Sequence, residues 1–194
     1  SALGVCCLVA LVADALNAAA GATTFLVNNG NDSGTGSLRQ AILAVNAQTN
    51  GSHIISCTTG LNINVLSELP AITYAPSVII GTVAIVGNGA TLNGSNLSGS
   101  EVGFKVESNG CAISNFKIIN FPSHGIHITA RNVNITACRI GTDGTSTDDG
   151  NGGHGIYVEG AGTSVVGEPS SGNQISGNAG NGAHLLNSTG VAVQ

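Results

Sequence analysis

The sequence predicts an all-β chain wound as a right-handed parallel β-helix, and three observations lead there. From residue 77 onward it consists of short β-branched runs between Gly and Asn turns, without the 3.6-residue apolar period of a helix. A glycine followed by alternating apolar positions recurs as "GFKV" at Gly103, "GIHI" at Gly125, "GIYV" at Gly155 and "GAHLL" at Gly182, at spacings of 22, 30 and 27 residues. A second run trails each of these: "CAISNFKI" from Cys111, "VNITACRI" from Val133 and, after a turn, "NQISGN" from Asn173. Units this small cannot bury their own apolar face, so they must stack, two strands to a unit.

In chain order, the first element is the apolar run "SALGVCCLVALVADALNAAAGA", residues 1–22. It looks like the core of a secretory signal peptide, yet it has no basic start, and the chain contains no methionine. The stretch from Ala2 to Ala13 is too short for a bilayer span, and Asp14 interrupts it. The expectation is a retained contact between subunits through Leu3, Val5, Cys6, Cys7, Leu8 and Leu11; a signal-like remnant is the other reading.

Residues 23–194 are then the β-helix domain. Its one convincing helix is "SLRQAILAVNAQ", residues 37–48, with Ser37 and Gln40 in capping-box spacing and Leu38, Ile42 and Val45 on one face. A β-helix has an open core at each end, and this helix is expected to close the first coil. In the coils, Ile126 should stack on Ile156 and Ile128 on Val158, because equivalent residues of adjacent parallel strands lie about 4.8 Å apart. The loop "GTDGTSTDDGNGGH" from Gly141 absorbs the extra length of the 30-residue coil.

Composition narrows the function. Only 8% of residues are charged, 29 are glycine, and the net charge is -5 with five basic residues in all. So few cations cannot neutralise a run of phosphates, which excludes nucleic acid as a partner. Cys6, Cys7, Cys57, Cys111 and Cys138 lack the spacing of a zinc site. Cys111 and Cys138 fall at offset positions of the second strand, Cys111 near Val133 and Cys138 near Phe116, which suits small buried apolar residues better than a disulfide. Six sequons, at Asn31, Asn50, Asn93, Asn96, Asn134 and Asn187, are glycosylation candidates.

The stretch "NDSGTGSLRQAILAVNA", followed by "LPAITYAPSVIIGT", "GATLNGSNLSG" and "GFKVESNGCAISNFKIINF", resembles bacterial secreted and cell-surface right-handed β-helix proteins. Among these are polymorphic outer-membrane-like proteins with a "DSGxGSLRxAI" opening segment, within the pectate-lyase-like superfold. The resemblance covers about residues 24–190. It implies the fold, export, and a surface or adhesive role, and it brings no catalytic residues.

Enzyme chemistry would need acid, base or metal-holding groups that the coils bring together. Thr142-Asp143-Gly144, Asp148-Asp149 and Gly153-His154-Gly155 follow the order of pectin-hydrolase motifs, but all three fall within 14 residues of one loop. Hydrolysis needs a pair of carboxyl groups flanking the scissile bond, which here would have to come from successive coils. A lyase needs a base beside calcium-holding carboxylates, and Arg131 and Arg139 have no acidic neighbour on the preceding coil. Asp143, Asp148 and Asp149 are the nearest calcium candidates, in neither EF-hand nor nonapeptide spacing; a loop stiffened by Asx-turns is the favoured reading. His124 and His154 each precede a repeat glycine and should stack in adjacent coils, one level from Asn181, as a polar ladder.

The expected function is a structural subunit of an extracellular, self-assembling filament or surface layer, in which the N-terminal run and the coil near Gln194 meet neighbouring subunits. It is not expected to be an enzyme, to hold a cofactor or to span a membrane. The alternative is a monomeric surface adhesion or glycan-binding module contacting its partner through the loop Asp143 to His154. A polysaccharide lyase or hydrolase relying on His154 or Asp149 is the third reading.

Overall fold

Side chains of a strand alternate sides, so a strand with a core on one face and water on the other alternates in burial. The run "VAIVGN" does so strictly, with Val83, Ile85 and Gly87 buried and their neighbours half-exposed. The computed structural model describes residues 22–76, 81–145 and 149–194. Throughout them this alternation is wound into a parallel β-helix of about six turns.

The elements in chain order are β1 (Thr23–Val27), helix α1 (Leu38–Asn46), β2 (His53–Cys57), β3 (Asn62–Asn64), β4 (Val83–Asn93), β5 (Phe104–Val106) and β6 (Cys111–Ile119). They continue with β7 (Ile126–Ile128), β8 (Asn134–Thr136), β9 (Arg139–Ile140), β10 (Ile156–Glu159), β11 (Val165–Val166), β12 (Gln174–Ile175), β13 (Ala183–Leu186) and β14 (Ala192–Val193). Three faces result. The first is β1-β2-β4-β6-β8-β11-β14; the second joins β3, the later halves of β4 and β6, β9 and β12; the third is β5-β7-β10-β13.

Each complete coil therefore carries three strands, where the sequence suggested two. The reason is that β4 and β6 pass unbroken through a corner, turned by Asn88 (φ 52) followed by Gly89 in the first and by Asn115 (φ 63) in the second; Ala137 (φ 52) turns the next coil. One left-handed residue bends the chain without interrupting its run of β-formers. In the following coil the corner is opened by the insertion after Gly167, so "NQISGN" stacks only on the later half of "VNITACRI": Gln174 pairs with Arg139 and Ile175 with Ile140. The first half is supplied by β11, with Val166 on Ile135.

The core is a set of ladders. Phe25, Ile55, Ile85, Ile113, Ile135, Val166 and Val193 stack through the first face. Ile63, Leu92, Ile118, Ile140 and Ile175 stack through the second. On the third, Ile126 stacks on Ile156 and Ile128 on Val158, the pairs expected from the repeat. Cys57, Cys111 and Cys138 are free, buried members of this interior. Burial pushes the first two thiols up to about 12 and Cys138 to about 11, so they pack as apolar groups.

Helix α1 lies between β1 and β2 in sequence and packs on both, so the coils begin before the helix. Leu38, Ala41, Ile42 and Val45 form its buried face. The Ser37 Oγ accepts from the Gln40 N–H at 3.2 Å. The reciprocal half of a capping box is replaced, because the Ser37 N–H donates to Gly34 O instead. Arg39 pins the cap: its guanidinium donates to Asp32 Oδ1 (2.8 Å), Asp32 O (2.9 Å), Ser67 O (2.8 Å), Ser67 Oγ (2.8 Å) and Glu68 O (2.7 Å). Burial alone would raise the Asp32 carboxyl, but Arg39 and the Leu66 N–H outweigh it and hold the group below the usual carboxylate range. The "DSGTGSLR" motif thus encodes a latch between the cap and the segment that follows β3. Among the described residues no helix is long and apolar enough to cross a membrane.

Ile113 sits mid-ladder at 0% exposure, whereas Leu43 on α1 is 52% exposed. Ile113→Ala should lower unfolding free energy by roughly 2–5 kcal/mol, and Leu43→Ala by less than about 0.5 kcal/mol. Urea denaturation of the two variants checks this; equal losses would show that the ladder is not the seat of stability.

Candidate functional site

The third face, where short strands meet tight turns, gathers five of the chain's seven histidines and tyrosines. Two positions after each repeat glycine, an outward residue is set in register with its neighbours: Lys105 on β5, His127 on β7, Tyr157 on β10 and His184 on β13. One position before the glycine stand His124, His154 and Asn181 in successive coils. All five rings are half-buried, largely against one another. His124 and His154 are parallel, with centroids 5.1 Å apart and 1° between planes. Tyr157 lies 4.8 Å from His124 and 5.0 Å from His127, and His184 lies 4.4 Å from His154.

The backbone of each coil fixes the imidazoles of the one before. The His154 N–H donates to Nδ1 of His124 (2.9 Å), and the Asn181 N–H donates to Nδ1 of His154 (2.8 Å). Both Nδ1 atoms are therefore acceptors, and the neutral rings carry their proton on Nε2. The His154 Nε2–H then donates to His184 Nδ1 at 2.9 Å. Glycine makes this close approach feasible: a Cβ on Gly153 would lie 2.6 Å from His124 Nδ1, and one on Gly180 would lie 2.5 Å from His154 Nδ1. His124 is held below the ordinary imidazole value by burial, and then by the nearby His154, His127 and His184; His154 is lowered by burial and by His184. His127 Nε2 lies 3.4 Å from Glu159 Oε2, within ion-pair reach but without hydrogen-bond alignment. Lys105 pairs with Glu107 at 2.9 Å on the same face.

Behind the stripe, the buried Asn151 and the half-buried Asn178 satisfy the corner backbone. Asn151 Oδ1 accepts from the Phe121 N–H (3.0 Å), and its amide donates to Ile118 O (3.2 Å) and to Asn178 Oδ1 (2.8 Å). Asn178 in turn donates to Ile140 O at 3.0 Å. An unpaired buried carbonyl or N–H would be costly, so these side chains hold the turns that present the rings.

The other predicted positions are dispersed. The stacking of His124 on His154, one level from Asn181, is as expected. Asp143 accepts from the Thr145 N–H (2.6 Å) and Oγ1 (2.8 Å), an Asx-turn. Asp148 lies outside the described residues, as do Leu3, Val5, Cys6, Cys7, Leu8 and Leu11. Asp149 Oδ2 is buried and has no hydrogen-bond partner among the described residues. Among the described residues, no three His, Cys, Asp or Glu side chains converge in a way that could hold a metal ion. Of the sequons, Asn31, Asn50, Asn96 and Asn187 are exposed. Asn93 is half-buried, with Oδ1 accepting from the Ser95 N–H at 2.9 Å. Asn134 lies in β8 and donates to Glu168 at 2.9 Å.

The sequence reading missed His127, Tyr157, His184, Asn151 and Asn178. A signal for them exists: the second position after the four repeat glycines reads Lys, His, Tyr, His, and the fourth position before the last two reads Asn, Asn. The chain matches no protein-family model and no curated protein.

Because His124 and His154 bind protons less readily in the fold, the unfolded chain is the better proton acceptor just below pH 6.5. Their contribution to stability is fully present above about pH 6.5 and is lost as pH falls from there through the folded-state values. Thermal unfolding from pH 8 to 4.5 should show this fall, and His154→Asn, which copies Asn181, should flatten part of it. Imidazole resonances of both residues titrating at or above 6.5 would contradict the assignment.

Proposed function

We propose that the protein is an extracellular or cell-surface recognition module that binds a glycan along the ring stripe of its third face. The observation that carries this reading is the in-register column His127, Tyr157 and His184, flanked by His124 and His154. Half-exposed rings offer flat faces to the apolar faces of sugars, while the phenol, the imidazole N–H groups and Glu159 suit sugar hydroxyls. The rings are held by strands and by backbone hydrogen bonds, so little ordering entropy opposes binding. Exposed sequons and a surface rich in neutral polar groups fit an extracellular setting. Self-assembly into a filament draws on the residues at the N-terminus that lie outside the described ones, and the geometry adds nothing to it. The same holds for the loop contact, whose Asp148 is likewise undescribed.

The test is binding of the purified chain to an array of neutral β-linked oligosaccharides. Tyr157→Ala and His184→Ala, checked for fold by circular dichroism, should each weaken binding at least tenfold. Absence of binding to every glycan, or binding indifferent to Tyr157→Ala, would overturn the proposal.

A further inference from the structure

The five basic residues have unequal fates. Arg39 is consumed by the cap, and Lys105 is paired with Glu107. Lys117 and Arg139, by contrast, are set directly side by side: β6 and β9 pair in parallel with Lys117 opposite Arg139, while their neighbours Ile118 and Ile140 point inward. Among the described residues neither has a carboxylate within ion-pair distance. A like-charge pair on adjacent strands is destabilising, and among the described residues no carboxylate forms an ion pair that offsets it.

The surroundings are open on both sides. The pair lines a cleft of about 380 Å³ with Gly89, Asn115, Phe116 and Ala137. The corner residues there, Gly89, Asn115 and Ala137, all have positive φ. A second cleft, of about 460 Å³, is lined by Thr142, Thr145, Gln174 and Ser176 among others. Gln174 is in register with Arg139, and a Cβ on Gly144, in the wall of the second cleft, would lie 2.4 Å from Arg139 Nη1. Arg139 is oriented by one bond, Nη1 to Asp143 O at 2.8 Å, and its Nε and Nη2 have no protein acceptor among the described residues.

From this geometry we infer a second binding site, on the second face, for an acidic oligosaccharide whose carboxylate or sulfate sits between Lys117 and Arg139 and whose hydroxyls reach Thr142, Thr145, Gln174 and Ser176. The anion supplies the charge that the cation pair lacks, and Arg offers a planar fork to it. The neutral hydroxyl and amide lining of the neighbouring cleft matches a sugar ring. Two cations suffice for one anionic group and not for a phosphate backbone. The site is on a different face from the ring stripe and does not depend on it.

The test titrates the full chain with tetragalacturonate, with a sulfated tetrasaccharide and with a neutral tetrasaccharide of the same linkage, by calorimetry at 20 and 200 mM salt. Binding of either acidic ligand that is at least tenfold tighter than the neutral one, and weaker at high salt, is expected; the tighter of the two identifies the anion. Lys117→Gln and Arg139→Gln should each reduce that binding at least tenfold, whereas Tyr157→Ala should leave it unchanged. Their melting temperatures without ligand should equal or exceed the parent's, which a purely structural role would not give. Equal binding by the parent and both variants, no binding of either acidic ligand, or equally tight binding of an oligonucleotide would overturn the inference.

Discussion

Everything in this molecule depends on in-register parallel stacking. A residue directs its side chain into the core or out to water solely by its parity along the strand, and the coil above must repeat that parity at the same place. Ile55, Ile85, Ile113 and Ile135 are one such column. A slip of a single residue would turn the isoleucines outward and bring Ala84, Ala112 and Asn134 in. The constraint is local to neighbouring coils, so stability accumulates coil by coil from nearest-neighbour contacts.

Stacking fixes strands but leaves corners to be solved separately, because a turning chain frees backbone groups that no sheet partner meets. Here the answer is a division of labour. Left-handed Asn88, Asn115 and Ala137 bend the chain between the first two faces, and the amides of Asn151 and Asn178 hold the corner ahead of the third. Imidazoles join the same scheme at its surface, where His124 and His154 accept N–H groups of the next coil. The ring stripe is thus continuous with the hydrogen bonding of the solenoid.

How much of this could be read in advance follows from the physics of each part. The repeat glycines and the columns Ile126 with Ile156 and Ile128 with Val158 were legible, since they depend on one period. The helix cap was legible from Ser37 and its apolar face, although the Ser37 N–H goes to Gly34, a loop geometry that spacing does not encode. The third strand of each coil was hidden, because the run of β-formers continues through Asn115 and the bend shows only as a change of phase, from Cys111 and Ile113 to Phe116 and Ile118. The site was half legible. His124 and His154 stood beside glycines and drew notice, while His127, Tyr157 and His184 had to be aligned by coil before they formed a column. The pairing of Lys117 with Arg139 required the register of the second face, which an insertion after Gly167 disguises further along.

One consequence of the ring column concerns how such a surface changes over time. Each coil contributes a single outward residue to it, at a fixed offset from a glycine, and the 22- and 30-residue coils contribute equally despite their different loops. The column therefore works as a ruler graduated in coils. Duplication of one coil would lengthen it by one side chain without disturbing the rest, and a point change at one offset would edit a single graduation. A solenoid of this kind can alter the length and the lettering of its surface independently.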